Sequence, residues 1–173
     1  MQLRRRSLLL GGLAAGLPLP AFANAPTGRE LALVNLHTGE SLKAAYWEAG
    51  AYVPDALTAI AKVLRDHRTG QVHPIDPQLL DLLTVLSGRL ETKKSFQVIS
   101  GYRSPQTNAK LHAKSAGVAT RSLHMDGKAM DVRVEGVELT RLRDAALGLK
   151  LGGVGYYRES NFVHVDTGRV RRW

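Results

Sequence analysis

The Asp126-Gly127 pair, inside the segment Ser122-Leu-His-Met-Asp-Gly-Lys-Ala-Met-Asp131, restricts the fold more than any other stretch of the chain. Asp-Gly is a strong signal for a two-residue hairpin turn, in which both central residues take positive φ. A hairpin centred there predicts Met125 opposite Lys128, His124 opposite Ala129 and Ser122 opposite Asp131. His124 and Asp131 are then diagonal neighbours on one face, roughly 7–8 Å apart at the backbone. Even without a regular hairpin, a tight glycine turn returns both side chains to one region.

A third donor is available from Phe162-Val-His-Val-Asp166, where strand alternation puts Phe162, His164 and Asp166 on the same face. The chain has no cysteine, so any metal site must be built from histidine and carboxylate. Two histidines, one carboxylate and an open position form the donor set of a catalytic zinc site rather than a closed structural one. Zinc at such a site lowers the pKa of its water to about 7 and polarises a substrate carbonyl. Taken singly, each residue has a plainer reading: a strand histidine hydrogen-bonds, and Asp131 ends a strand or pairs with Arg133.

Elsewhere the pattern predicts two strands over residues 30–45 around a His37-Thr-Gly-Glu40 turn, with Leu31, Leu33 and Asn35 on one face. Pro54-Asp55 opens an amphipathic helix carrying Leu57, Ile60, Ala61 and Leu64. Asp76-Pro77 supplies an N-cap and a first helical residue for a helix that Gly88 is expected to stop. Residues 95–100 read as a strand, and Ser104-Pro105 starts a short helix to about His112. A strand over 128–134, a helix over 139–149 and two last strands at 152–157 and 162–166 complete the chain. Helices followed by clustered strands indicate a single α+β domain, with a small antiparallel sheet carrying the site. His37, His67 and His73 fall in turns or polar connections and are expected to be exposed, while Trp47 and Trp173 read as core or edge residues.

The N-terminus bears on location. Arg4-Arg5-Arg6 precedes an apolar run, and Ala21-Phe22-Ala23 offers a small-x-small cleavage pattern, so residues 1–23 read as a signal peptide and 24–173 as the domain. Arg5-Arg6-Ser7-Leu8-Leu9 is similar to a twin-arginine signal. The run is too short and too rich in glycine for a comfortable membrane span, so no stable span is expected after cleavage. Export implies the periplasm or cell envelope. Without Arg4, Arg5 and Arg6 the chain keeps 21 basic residues against 15 acidic ones. That excess suits a polyanionic setting such as cell wall, and no strong nucleic-acid motif accompanies it.

Ser122-x-His124-x-x-Gly127-x-Ala129-x-Asp131 with a downstream histidine resembles the zinc D-alanyl-D-alanine peptidase superfamily, which includes VanX-type dipeptidases, D,D-carboxypeptidases, L-Ala-D-Glu endolysins and the hedgehog signalling domain. The Ser100-Gly-Tyr-Arg103 stretch, Gly152-Gly-Val-Gly-Tyr156 and the ending Phe162 to Trp173 are similar to its MepK branch. The resemblance spans essentially all of residues 24–173. It implies one Zn2+ held by His124, Asp131 and His164, and cleavage of peptidoglycan stem-peptide cross-links, L,D bonds between diaminopimelate residues and D,D bonds being the candidates. It also implies that Arg103 lies over the active site, where a guanidinium can bind the scissile carbonyl oxygen as it gains charge; the plainer alternative is a surface arginine near a helix start. Ser122 and Tyr156 are further candidates for substrate binding.

The chain departs from the superfamily at one place. Many members carry an acid or histidine two or three residues before the last ligand, where this chain has Phe162 and Asn161. Asp166 is the leading replacement as general base, with Glu159 and His112 behind it, and the competing role for Asp166 is a carboxylate that orients a ligand histidine. Endopeptidase, carboxypeptidase and a non-catalytic zinc-bearing wall-binding module therefore stand as the three alternatives.

Overall fold

The computed structural model describes residues 28–115 and 117–173, so the expected signal at 1–23 lies outside the described residues. Strands β1 (Gly28–Asn35) and β2 (Ser41–Glu48) form the expected antiparallel hairpin, with Leu33 opposite Leu42. Its turn is held by the Asn35 Oδ1 atom, which accepts from the N–H groups of His37 and Thr38 at 2.9 and 3.2 Å. Leu31, Leu33 and Asn35 are all buried, and the Asn35 amide donates to the Val63 carbonyl at 2.8 Å. A two-residue strand β3 (Ala51–Tyr52) pairs with the end of β2 and is too short to leave a periodic signature.

Helices α1 (Pro54–Val63) and α2 (Pro77–Arg89) follow. Asp76 caps α2 as expected, its Oδ1 accepting from Gln78 N–H at 3.0 Å. Gly88, however, does not end that helix. Leu79, Leu83, Leu86 and Leu90 recur at helical spacing and are all buried, so core packing carries the helix past the glycine. Strand β4 (Phe96–Ser100), helix α3 (Pro105–His112), strand β5 (Ala129–Val134), helix α4 (Leu139–Leu149) and strands β6 (Gly153–Tyr157), β7 (Phe162–Asp166) and β8 (Arg171–Arg172) complete the chain. Among the described residues no helix is long and apolar enough to cross a membrane.

The class is α+β, but the sheet is neither small nor purely antiparallel. Among the described residues eight strands run in the order β3-β2-β1-β4-β5-β7-β6-β8, with β1–β4 and β6–β8 parallel. Parallel neighbours need a long crossover, which α1 and α2 supply between β1 and β4. Strand alternation divides the centre of the sheet. Met130, Val132 and Val134 of β5 and Val163 and Val165 of β7 enter a core shared with Leu80 and Leu83 of α2 and Leu142 of α4. Asp131, His164 and Asp166 occupy the alternate face. Burying each large aliphatic side chain contributes about 1.5–3 kcal/mol. The core therefore fixes the register, since a slip of one residue would turn the polar set inward.

Candidate metal centre

Asp131 and His164 are cross-strand partners on β5 and β7, and Ala129 pairs with Asp166 one step along the same face. Partners of this kind have Cβ atoms about 4.5–5.5 Å apart. Here His164 Nδ1 lies 2.9 Å from Asp131 Oδ1, and both residues are buried. Asp131 does not pair with Arg133, whose Nε donates instead to Gln97 Oε1 at 2.7 Å.

His124 arrives differently from expectation. No hairpin forms at Asp126-Gly127. Residues Leu123–Asp126 make one 3-10 turn, and Gly127 alone takes the left-handed conformation at φ +64°. Lys128 N–H closes the turn on the Leu123 carbonyl at 2.9 Å, and Asp76 N–H ties the Gly127 carbonyl to the start of α2 at 3.0 Å. A Cβ at position 127 would also collide with the Pro74 carbonyl oxygen, so the site demands glycine for conformation and for space. The turn does what the spacing required: His124 Nε2 lies 3.3 Å from Asp131 Oδ1 and 3.2 Å from His164 Nδ1.

Three donor atoms thus meet within mutual distances of 2.9–3.3 Å. The far nitrogen of each ring has its own acceptor: His124 Nδ1 donates to the Gly101 carbonyl at 2.7 Å, and His164 Nε2 donates to Asp166 Oδ2 at 3.0 Å. Those bonds fix the tautomers that leave both inner nitrogens with lone pairs toward Asp131. The donor chemistry and convergence fit a divalent metal, and among the described residues His124, Asp131 and His164 are the group able to hold one.

Asp166 does not reach this space. It is fully buried behind the His164 ring, and its Oδ1 accepts from Gly153 N–H at 3.0 Å and Gly168 N–H at 2.8 Å. Its Oδ2 accepts from Arg171 Nη2 at 2.7 Å as well as from His164. Burial would raise its pKa, but His164, Arg171 and the two backbone donors hold it well below the usual carboxylate range. Both oxygens are thus engaged by other groups, and Asp166 does not line the cleft, where a general base was expected. Asp131 shows the same balance: burial raises its pKa, and His124 and His164 outweigh that effect and lower it. For His164 burial lowers the pKa, and the two carboxylates overcome it and raise it.

A cleft of about 320 Å³ opens over the donors. Arg103 lies in it beside Asp131, with Nη2 3.6 Å from Asp131 Oδ2 and 3.3 Å from Ser100 Oγ, and its side chain is only 13% exposed. It is not a surface arginine, and its buried Nε has no partner among the described residues. The loop carrying it is pinned from both sides. Tyr102 N–H donates to the Leu64 carbonyl at 2.8 Å, Arg103 N–H to the His124 carbonyl at 3.1 Å, and Ser104 N–H to buried Asp66 at 2.9 Å. Ser122 lines the cleft, but Tyr156 does not. Tyr156 pairs with Val163 on the opposite face of β6, where Arg143 of α4 stacks over its ring at 4.8 Å, so its expected place in the substrate cleft is corrected. Glu159 and His112 also lie outside the cleft, and His112 Nδ1 donates to the Val118 carbonyl at 2.6 Å.

Three contributors were missed in the sequence. Arg171 reaches back to Asp166, and half-exposed Trp173 lays its ring 5.2 Å from that of His164 while its Nε1 donates to the Tyr157 hydroxyl at 2.8 Å. Gly155, opposite His164, makes room for that indole, since an added Cβ would stand 2.7 Å from it. A glycine facing a ligand histidine was the available signal that something bulky lies above. Arg121, the third, lines the cleft together with Gly117, Val118 and Ala119 of the same loop. Of the minor histidines, His67 and His73 are half-buried rather than exposed, stacked on His37 and Tyr102.

The donor cluster and its supports account for the motifs, and comparison with known proteins agrees. A family model described as peptidoglycan L,D-endopeptidase MepK matches residues 23–173. The chain belongs to the MepK family. Peptidoglycan L,D-endopeptidase MepK of Escherichia coli (strain K12) is 50% identical over 175 residues, covering 98% of this chain and 96% of the relative. The probable MepK of Haemophilus influenzae is 42% identical over 178 residues, covering 99% and 96%. Membership makes the chain a peptidase of the superfamily its motifs resemble.

Proposed function

We propose that this MepK-family peptidase is a zinc-dependent murein endopeptidase of the periplasm that hydrolyses stem-peptide cross-links, L,D bonds between diaminopimelate residues in particular. The convergence of His124 Nε2, Asp131 Oδ1 and His164 Nδ1, with each ring fixed from behind, is the observation that carries this reading. Its relatives, named as peptidoglycan L,D-endopeptidases, supply the substrate class.

In this reading the two imidazoles and Asp131 hold the ion, and Asp166, backed by Arg171, keeps the His164 ring in its ligating orientation. Among the described residues lining the cleft the only side-chain carboxylate is Asp131, and a zinc ion held there would lower the pKa of the attacking water and polarise the scissile carbonyl. Arg103 binds the carbonyl oxygen as it gains negative charge, from a desolvated position where such an interaction is strengthened. Half-buried Ser122 borders the substrate path. Residues 1–23 direct export.

The test is digestion of defined muropeptide dimers by the purified enzyme. Conversion of diaminopimelate-linked dimers to monomers, lost with chelator and recovered with zinc, is expected. Intact dimers, or release of terminal D-alanine alone, would sink the reading.

A further inference from the structure

Among the described residues three arginines line the cleft, and they are not equivalent. Arg171 is committed to Asp166 through two contacts, at 2.7 and 3.1 Å. Arg103 is largely buried beside Asp131. Arg121 is exposed and has no ion-pair or hydrogen-bond partner among the described residues, although it lines the same cleft as His124 and His164.

The position of Arg121 is built rather than incidental. The loop that bears it is tethered to α3 by buried Asn108, whose amide donates to the carbonyls of Ala119 and Thr120 at 3.0 and 3.2 Å. His112 adds its bond to the Val118 carbonyl. The residue just before Arg121 is thus held by a side chain that is itself 3% exposed. Tyr157, Phe162 and Trp173 line the same cleft with uncharged side chains.

The geometry points to Arg121 as a specificity-determining residue that binds a substrate carboxylate. This rests on the endopeptidase reading above. In a bond between two diaminopimelate residues, the carbon bearing the scissile nitrogen also bears a carboxyl group. That carboxylate travels with the leaving amine, close to the reacting centre, and needs a cation that is neither neutralised nor assigned to the carbonyl oxygen. Among the described residues in the cleft, Arg121 meets that requirement. A guanidinium binds a carboxylate through two parallel hydrogen bonds, which a carboxamide cannot reproduce. Arg121 therefore sets a preference for the free acid over its amide.

The experiment uses two diaminopimelate-linked dimers, one with this carboxyl group free and one with it amidated, and three proteins: the unsubstituted enzyme, Arg121→Gln and Arg121→Lys. Zinc content and melting temperature of the variants establish that they are folded and loaded. Loss of a charge-assisted pair predicts a KM about tenfold higher for Arg121→Gln on the free acid, with kcat little changed. The amidated dimer should be cleaved equally by the unsubstituted enzyme and Arg121→Gln, and Arg121→Lys should recover part of the preference. The same KM ratio between the two dimers in all three proteins would overturn the assignment, as would an equal fall in kcat on both. Failure of the unsubstituted enzyme to cleave either dimer would overturn the endopeptidase reading itself, and this proposal with it.

Discussion

Asp131 and His164 face each other directly across the β5–β7 ladder, with Nδ1 2.9 Å from Oδ1. Two of the three donors are thus set by sheet register, and the third, His124, by a single turn whose carbonyl is tied to Arg103 N–H.

Removing either imidazole should remove the metal. His124→Ala and His164→Ala are expected to lose most bound zinc and the activity together, because two donors seldom hold a catalytic ion. Metal analysis of the purified variants checks this, and full zinc occupancy in both would contradict the ligand assignment.

Asp166→Asn separates an orienting carboxylate from a base. Loss of the His164 partner should weaken zinc binding by about 10–100-fold, measured against a competing chelator, with activity returning as zinc is raised. A base would behave oppositely, with zinc affinity unchanged and kcat abolished at every zinc concentration.

Arg103→Ala should lower kcat by roughly 10²–10³ while zinc content stays normal, as when one donor to a developing oxyanion is lost. A change confined to KM would place Arg103 in ground-state binding instead.

Asp66 links acid stability to the site. Burial raises its pKa, but the Ser104 and Thr107 hydroxyls and the backbone N–H groups of Ser104 and Arg68 outweigh this and hold it well below the usual carboxylate range. The unfolded chain therefore binds the proton more readily, and the stabilisation is present above pH ~4 and is lost as pH falls through the lower folded-state value. Asp66→Asn should flatten the dependence of denaturant midpoint on pH between about 4 and 2. It should also loosen the Arg103 loop, whose Ser104 hydroxyl donates to Asp66 at 2.6 Å. An unchanged pH profile would remove Asp66 from this role.

Much of this was legible beforehand, for physical reasons. The ligand spacing survived a wrong turn type because either turn, hairpin or 3-10, reverses the chain within the same few residues and returns His124 to Asp131. Alternation correctly put His164 and Asp166 on one face, but periodicity says nothing of what stands behind a ring. The engagement of both Asp166 oxygens therefore had to come from tertiary contacts with Gly153, Gly168 and Arg171. Tyr156 was misplaced because an aromatic beside a glycine-rich strand gives no facing until the strand's register is known. The parallel β1–β4 and β6–β8 pairings depend on chain crossings and on strands of only two residues, which leave no local pattern.

The 3-10 turn at Leu123–Asp126 has one more consequence. The spacing of Asp131 and His164 follows from the register of β5 on β7, whereas the place of His124 follows from this four-residue turn alone. A side chain at position 127 would therefore displace one of the three groups and leave the other pair in place, because the turn is held against the Pro74 carbonyl and the Asp76 N–H.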